Sequence, residues 1–315
     1  MIFNMALLVD VKFPQWMADD DLRTELLQYY PEADIRIGAD PGDPNEIEML
    51  TVSNYLPGEA LQYPNLKLIQ KTGAGVNNIL ADETLPPDIQ VTRLQTSTSG
   101  AEMAEYALAF VLQEQRHLRR YQQHQSRSEW VSYPPRKAAE TTVLVLGLGR
   151  IGVLVARRFL DGGFVVSGWS RSLKDLTGVH CYAGADGLHA ALESADYVVS
   201  VLPSTDDTRG IFCFELFKQF NTNAYFINMG RGDLVNEPEL LKALDQGLFE
   251  GAVLDVMSIE PLPSENPLWL HPKVQLTPHI SGYHLGEAVA DIAENYRRLR
   301  NGEPLLNLID RDQGY

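Results

Sequence analysis

The stretch TVLVLGLGRIG, residues 142–152, limits the fold more than any other part of the chain. An apolar run drops directly into Gly147-Leu-Gly149-Arg-Ile-Gly152, and Ile151, Val155, Ala156 and Phe159 then recur at helical spacing. Strand, glycine turn and helix in that order form a dinucleotide-binding unit. Each glycine has a separate role. Gly147 lets the chain turn off the strand, Gly149 lets a pyrophosphate approach the backbone, and Gly152 lets the helix sit close on the sheet. The first amides of that helix, with the positive end of its dipole, then face the phosphates.

The surrounding chain fits an α/β protein of about two domains, as 315 residues suggest. Candidate strands at 6–9, 35–37, 49–52, 66–70 and 89–92 alternate with polar helical segments such as 19–30. A second series follows at 143–146, 165–169, 197–201, 225–228, 252–255 and 274–276. Between the two, Ser99-x-x-Glu102 reads as a capping box that opens a helix over 99–118, with Met103, Tyr106, Ala107, Phe110 and Val111 on one face. Residues 121–141, polar and with a Pro-Pro pair, read as an arm or linker. Residues 286–303 read as an amphipathic helix. The predicted fold class is therefore α/β, with two Rossmann-like doubly wound parallel sheets.

Charge and cysteine usage narrow the function. A formal net charge of -16 argues against nucleic-acid or anionic-membrane partners and requires local positive charge at any site for an anionic substrate. Cys181 and Cys213 lack metal-ligand spacing and give no disulfide framework, so no metal site is expected. They read as thiols of a reducing compartment. No basic leader and no run of about 18 apolar residues stands at the start, so a cytoplasmic protein is expected.

Ligands of open parallel sheets bind beyond the carboxyl ends of the strands. Three such ends carry chemistry. Arg231 follows the strand at 225–228, Glu260 follows 252–255 and His279 follows 274–276. An Arg grips a carboxylate with a planar fork of donors and polarises the adjacent carbonyl. A His delivers a proton to the carbonyl oxygen as hydride reaches carbon, and a Glu on its other ring nitrogen fixes the tautomer and favours imidazolium.

These motifs resemble the D-isomer-specific 2-hydroxyacid dehydrogenase family along nearly the whole chain. The resemblance rests on VLGLGRIG at 145–152, ADYVVSVLPST at 195–205, NMGRGDLVNEPELLKAL at 228–244, GAVLDV at 251–256, EPLP at 260–263 and TPHISG at 277–282. It implies Arg231, Glu260 and His279 as the catalytic set. It implies a split substrate domain, 1–95 plus 285–315, into which a cofactor domain, 96–284, is inserted, with the active site in the cleft between them. It also implies a likeness between the helix and arm at 99–141 and the family's dimer contact, hence a homodimer. KTGAGVNN, 71–78, matches the family's carboxylate loop, where amides of Ala74 and Gly75 would form an anion nest. Tyr55 and Leu56, in SNYLPGEAL, are expected to approach the substrate.

The implied cofactor contacts are Gly147, Leu148, Gly149, Arg150, Ile151, Gly152, Ser170, Arg171, Ser172, Leu202, Pro203, Met229, Gly230, Arg231, Asp255, His279 and Gly282. Asp255 is expected to accept from the nicotinamide carboxamide. The second strand of the cofactor unit ends in Ser170-Arg171-Ser172 without a carboxylate, and Asp175 lies several residues on. A carboxylate there would repel a 2′-phosphate, whereas Arg171 would pair with it and the serines donate to it, so NADP(H) is expected over NAD(H). WSRS and the short tail resemble the glyoxylate/hydroxypyruvate reductase A-type branch, although Asn54-Tyr55 stands where that branch often carries Trp. The expected reaction is NADPH-dependent reduction of a small 2-oxo acid to the D-2-hydroxy acid. Reduction of another 2-oxo acid such as phenylpyruvate, or a nucleotide-sensing corepressor that binds peptides, are the alternatives. Enzyme turnover against peptide binding separates the last from the rest.

Overall fold

A computed structural model describes residues 5–12, 16–94 and 96–311. The chain divides into two compact units, one of Met1–Thr98 with His284–Tyr315 and the other of Ser99–Tyr283. The first is thus discontinuous in sequence and the second is inserted into it.

In the first unit β1 (Ala6–Val9), α1 (Asp19–Tyr29), β2 (Ile35–Ile37), β3 (Ile47–Val52), β4 (Leu68–Lys71), α2 (Asn77–Leu80) and β5 (Gln90–Thr92) follow in order. The five strands pair in parallel in the order β2-β1-β3-β4-β5. Alternation along β1 divides its side chains between two cores. Ala6 and Leu8 join Leu50, Ile69 and Val91 on one face, while Leu7 and Val9 join Leu22, Leu26 and Leu68 on the other. Both faces are covered, as a parallel sheet requires.

The second unit holds α3 (Ser97–Gln115, its first two residues belonging to the first unit), α4 (Leu118–Ser126), β6 (Thr142–Leu146), α5 (Arg150–Asp161), β7 (Val165–Ser170), β8 (Val179–Ala183), α6 (Gly184–Ser194), β9 (Tyr197–Ser200), α7 (Phe214–Phe217), β10 (Tyr225–Asn228), α8 (Glu237–Asp245), β11 (Gly251–Leu254) and β12 (Val274–Leu276). Its seven strands are parallel in the order β12-β11-β10-β9-β6-β7-β8. The order reverses between β6 and β9, the switch point at which such sheets bind dinucleotides. Val143 and Val145 pack with Ala107, Val155 and Phe159, whereas Leu144 and Leu146 pack with Leu188, Phe226 and Leu240.

Helix α9 (Ala288–Asn301) returns to the first unit. It buries Ala288, Val289, Ile292, Ala293 and Tyr296 against Leu7, Leu22 and Leu68. The buried Asn295 donates to Gln70 Oε1 at 2.8 Å and accepts from the Leu306 amide at 2.7 Å. Gly302, in the left-handed region at φ +68°, ends the helix.

Several elements depart from the sequence reading. Helix α3 starts at Ser97, so Ser99 lies within its first turn and does not cap it. Glu287 accepts from the Ser97 amide and from the hydroxyls of Ser97 and Thr98 at that start, and Glu102 accepts from the Tyr283 amide at 2.7 Å. Helix α4 occupies part of the stretch expected as an arm. His117, at φ +58°, breaks the longer helix, and polar residues then resume it with none of them buried. Strand β8 has no counterpart in the sequence expectation, because as an edge strand with no fully buried residue it leaves no continuous apolar run. Among the described residues no helix is long and apolar enough to cross a membrane, and no cluster of His, Cys, Asp or Glu could hold a metal ion.

Candidate active site

The turn after β6 is as tight as its glycines allow. The Gly147 amide donates to the Trp169 carbonyl at 2.8 Å, and its φ of +101° suits glycine alone. A Cβ on Gly152 would lie 1.8 Å from the Gly147 carbonyl oxygen, so only glycine lets α5 leave the strand here. A Cβ on Gly149 would meet nothing within 4 Å. No side chain caps α5 and no acidic residue stands in its first turn, which leaves this helix start suited to an anion. The residues present therefore fit the diphosphate of a dinucleotide.

Around this turn, several predicted contacts have duties of their own. Leu148 and Leu202 are buried, and Pro203 is exposed. The Met229 side chain lies in the core beside Val145 and Val199, so only its backbone faces outward chemistry. A Cβ on Gly230 would fall 2.5 Å from the Leu202 carbonyl oxygen, so this position too requires close backbone approach. At the end of β7, the Ser170 hydroxyl donates to the Ser172 carbonyl at 2.9 Å. That bond shapes the turn which carries Arg171 and Ser172. Arg171 and Ser172 are exposed, and Asp175 lies beyond the turn in an irregular segment.

Beyond β10, the Asn228 side-chain amide donates to the Arg231 carbonyl at 2.9 Å and fixes the residue's backbone. The guanidinium donates to the Gly230 carbonyl at 2.6 Å. Burial pushes the Arg231 guanidinium below the ordinary arginine range, while the charges of Glu260 and Asp233 pull it up. A Cβ on Gly232 would lie 2.0 Å from the Met257 carbonyl, which brings the loops after β10 and β11 together.

Glu260 and His279 meet. Glu260 Oε1 accepts from the Met257 amide at 2.9 Å, and Oε2 lies 2.8 Å from His279 Nδ1. Burial works against ionisation of Glu260, but hydrogen bonds from His279 and Met257 and the charges of His279 and Arg231 hold its carboxyl below the usual glutamate range. The pair stays open to a reactant, with 48% of the His279 and 34% of the Glu260 side chain exposed. With Nδ1 tied to the carboxylate, Nε2 is the ring nitrogen left to exchange a proton with a substrate.

His279 sits at φ +56°, a backbone state that costs a non-glycine residue about 1–2 kcal/mol. Asp255, wholly buried at 0% exposure, holds it there. Its backbone carbonyl accepts from the His279 amide at 2.8 Å. Its carboxylate accepts from the Thr277 hydroxyl at 2.6 Å and from the Ile280 and Ser281 amides at 2.8 and 2.9 Å. Gly282 lies against Ser99 and Met103 of α3. The sequence reading gave Tyr106 only a packing role on α3 and Thr277 only a place in the TPHISG motif, though a hydroxyl beside His279 is a signal that could have pointed to the latter.

In the first unit, the segment after β4 bends through 72–74 and leaves Ala74 exposed and Gly75 half-buried. Leu94 donates its amide to the Gly73 carbonyl at 3.1 Å. Tyr55 departs from expectation. It is only 2% exposed, lies in the core with Val52 and Ile79, and donates its hydroxyl to Asp82 Oδ2 at 2.7 Å. The Asp82 carboxyl, bonded by Thr84 and also by the Gly58 amide and Tyr55, sits below the ordinary aspartate range despite burial. Tyr55 is thus a packing residue and not a substrate contact, while Leu56 is 50% exposed.

A family model for the D-isomer specific 2-hydroxyacid dehydrogenase NAD-binding domain matches residues 108–281. The chain belongs to the D-isomer-specific 2-hydroxyacid dehydrogenase family. It is an oxidoreductase. This dehydrogenase is 39% identical to glyoxylate/hydroxypyruvate reductase A of Escherichia fergusonii over 82% of its own length and 85% of that protein. It is 38% identical to the reductase A of Citrobacter koseri over 92% and 94%. A 2-hydroxyacid dehydrogenase from Xanthobacter autotrophicus Py2, solved with NADPH and MES, superposes with a TM-score of 0.89 at 37% identity, covering 99% of this chain and 100% of that one. An NADPH-dependent glyoxylate/hydroxypyruvate reductase from Sinorhizobium meliloti, solved with NADP and sulfate, gives 0.89 at 33% identity with the same coverage.

Proposed function

We propose that this dehydrogenase reduces a small 2-oxo acid of the glyoxylate/hydroxypyruvate class to the D-2-hydroxy acid, with NADPH preferred over NADH. The observation that carries this is the His279–Glu260 pair at 2.8 Å, on loops that follow neighbouring strands of the sheet whose β10 loop bears Arg231.

Gly147, Gly149, Gly152 and the first amides of α5 would hold the cofactor's diphosphate, and Arg171 and Ser172 its adenosine end. Once bound, the reduced nicotinamide supplies the hydride that the C2 carbonyl carbon receives. Arg231 binds the substrate carboxylate and polarises the carbonyl. Protonated His279 releases the Nε2 proton to the carbonyl oxygen, and the Glu260 carboxylate favours the imidazolium beforehand. The preference for NADPH rests on the missing carboxylate at the end of β7 and on Arg171, and the names of the two solved relatives point the same way. The reading includes a cytoplasmic homodimer, supported by the exposed Leu118, Trp130 and Val131 on α4 and the stretch after it.

A panel of glyoxylate, hydroxypyruvate and phenylpyruvate with both nicotinamides tests the proposal. The expected result is turnover of the first two with a kcat/KM for NADPH at least about tenfold that for NADH, the worth of one charge-assisted contact. Turnover of phenylpyruvate alone, or a clear preference for NADH, contradicts it.

A further inference from the structure

Tyr106, on α3, is partly buried against the core that holds Val145 and Ala107, and it packs on Phe110 with ring centroids 4.8 Å apart. Phenylalanine would serve that packing equally well, so the hydroxyl calls for another explanation. It lies 2.6 Å from Thr277 Oγ1. Thr277 in turn bonds Asp255 Oδ1 at 2.6 Å. A carboxylate only accepts, so Thr277 commits its single hydrogen to Asp255 and its oxygen accepts from Tyr106. The direction of the whole relay is thereby fixed, Tyr106 to Thr277 to Asp255.

We propose that Tyr106 is a positioning residue, which acts through Thr277 and Asp255 to hold the left-handed bend that presents His279. This inference rests on the proposed role of His279 as proton donor. The loop from Thr277 to Ser281 is tied to Asp255 at four places: the Thr277 hydroxyl and the amides of His279, Ile280 and Ser281. The buried Asp255 carboxylate takes three of these donors and its backbone carbonyl the fourth, and the Thr277 hydroxyl, oriented by Tyr106, is the one side-chain donor among them. Burial and the charge of Asp255 hold the Tyr106 phenol well above the ordinary tyrosine range, so it remains a donor. The same helix grips the far end of the loop, where Glu102 accepts from the Tyr283 amide at 2.7 Å.

The test compares wild type with Thr277→Val, Thr277→Ser, Tyr106→Phe and the Tyr106→Phe/Thr277→Val pair. Without substrate, hydrogen exchange of the peptide spanning 276–283 is expected to speed up about tenfold in Thr277→Val and about threefold in Tyr106→Phe. With hydroxypyruvate and NADPH, kcat is expected to fall by about the same factors while the KM for NADPH stays within about twofold. Thr277→Ser restores both readouts, and the double variant is no worse than Thr277→Val alone, because the two hydroxyls act in series. Unchanged exchange in Thr277→Val and Tyr106→Phe overturns the relay, as do losses that multiply in the double variant or a Thr277→Val enzyme with wild-type kcat. If wild type reduces no 2-oxo acid, the proposed function fails by itself, and the exchange measurement still decides the relay.

Discussion

The five-stranded sheet leaves β1 through Asp10, Val11 and Lys12, and its first helix, α1, opens with Asp19, Asp20 and Asp21. The seven-stranded sheet leaves β6 through Gly147, and α5 opens with Gly149 and Arg150. Both sheets are parallel and covered on both faces, and each has a reversal in strand order. Their first helix starts are electrically opposite. In α1 three carboxylates answer the helix dipole, and Asp19 takes the Val11 amide at 2.8 Å, so a phosphate would be repelled. In α5 no side chain does so, and the glycines leave room for one. Two sheets of one architecture thus differ in function through a handful of residues in a single turn. Fold alone would not have separated them.

Substitutions at glycine break this contrast most sharply. Gly152→Ala drives a Cβ into the Gly147 carbonyl, so loss of soluble protein or of all measurable NADPH binding is expected. Gly149→Ala meets no atom within 4 Å, so the fold should persist while NADPH binding, followed by fluorescence titration, weakens. In the first unit, Gly73→Ala meets only the Lys71 ammonium at 4.0 Å and should keep or raise stability by about 0.4–1 kcal/mol in denaturant titration.

A smaller effect is expected at the adenosine end. On the proposed preference for NADPH, Arg171→Ala should lower kcat/KM for NADPH about tenfold and leave that for NADH within about twofold, because only NADPH carries the 2′-phosphate. Equal loss with both cofactors would remove Arg171 from that role. A change confined to stability is expected in the first unit. Tyr55→Phe should cost about 1–2 kcal/mol of stability by taking one donor from Asp82, with kcat unchanged. A fall in kcat without destabilisation would return Tyr55 to the substrate.

Much of this was legible in the chain because buried parallel strands leave continuous apolar runs. Each strand of the second sheet except β8 could be read that way, and reading past its carboxyl end found Arg231, Glu260 and His279. Hidden features were those whose partners lie far away in sequence. Tyr55 looked like a residue near a substrate loop until Asp82, 27 positions on, claimed its hydroxyl. Glu102 fitted a capping box, yet it bonds Tyr283, 181 residues away. Propensity and spacing report local preference, and tertiary hydrogen bonds override it.

On the proposed function, His279, oriented by Glu260, supplies the proton for reduction at the carboxyl edge of the second sheet. Stopped-flow NADPH oxidation with hydroxypyruvate, wild type against His279→Asn, tests it most directly, with NADPH affinity measured alongside. The variant's rate at neutral pH is expected to be lower by at least ~100-fold, with cofactor affinity retained. An unchanged rate would contradict it.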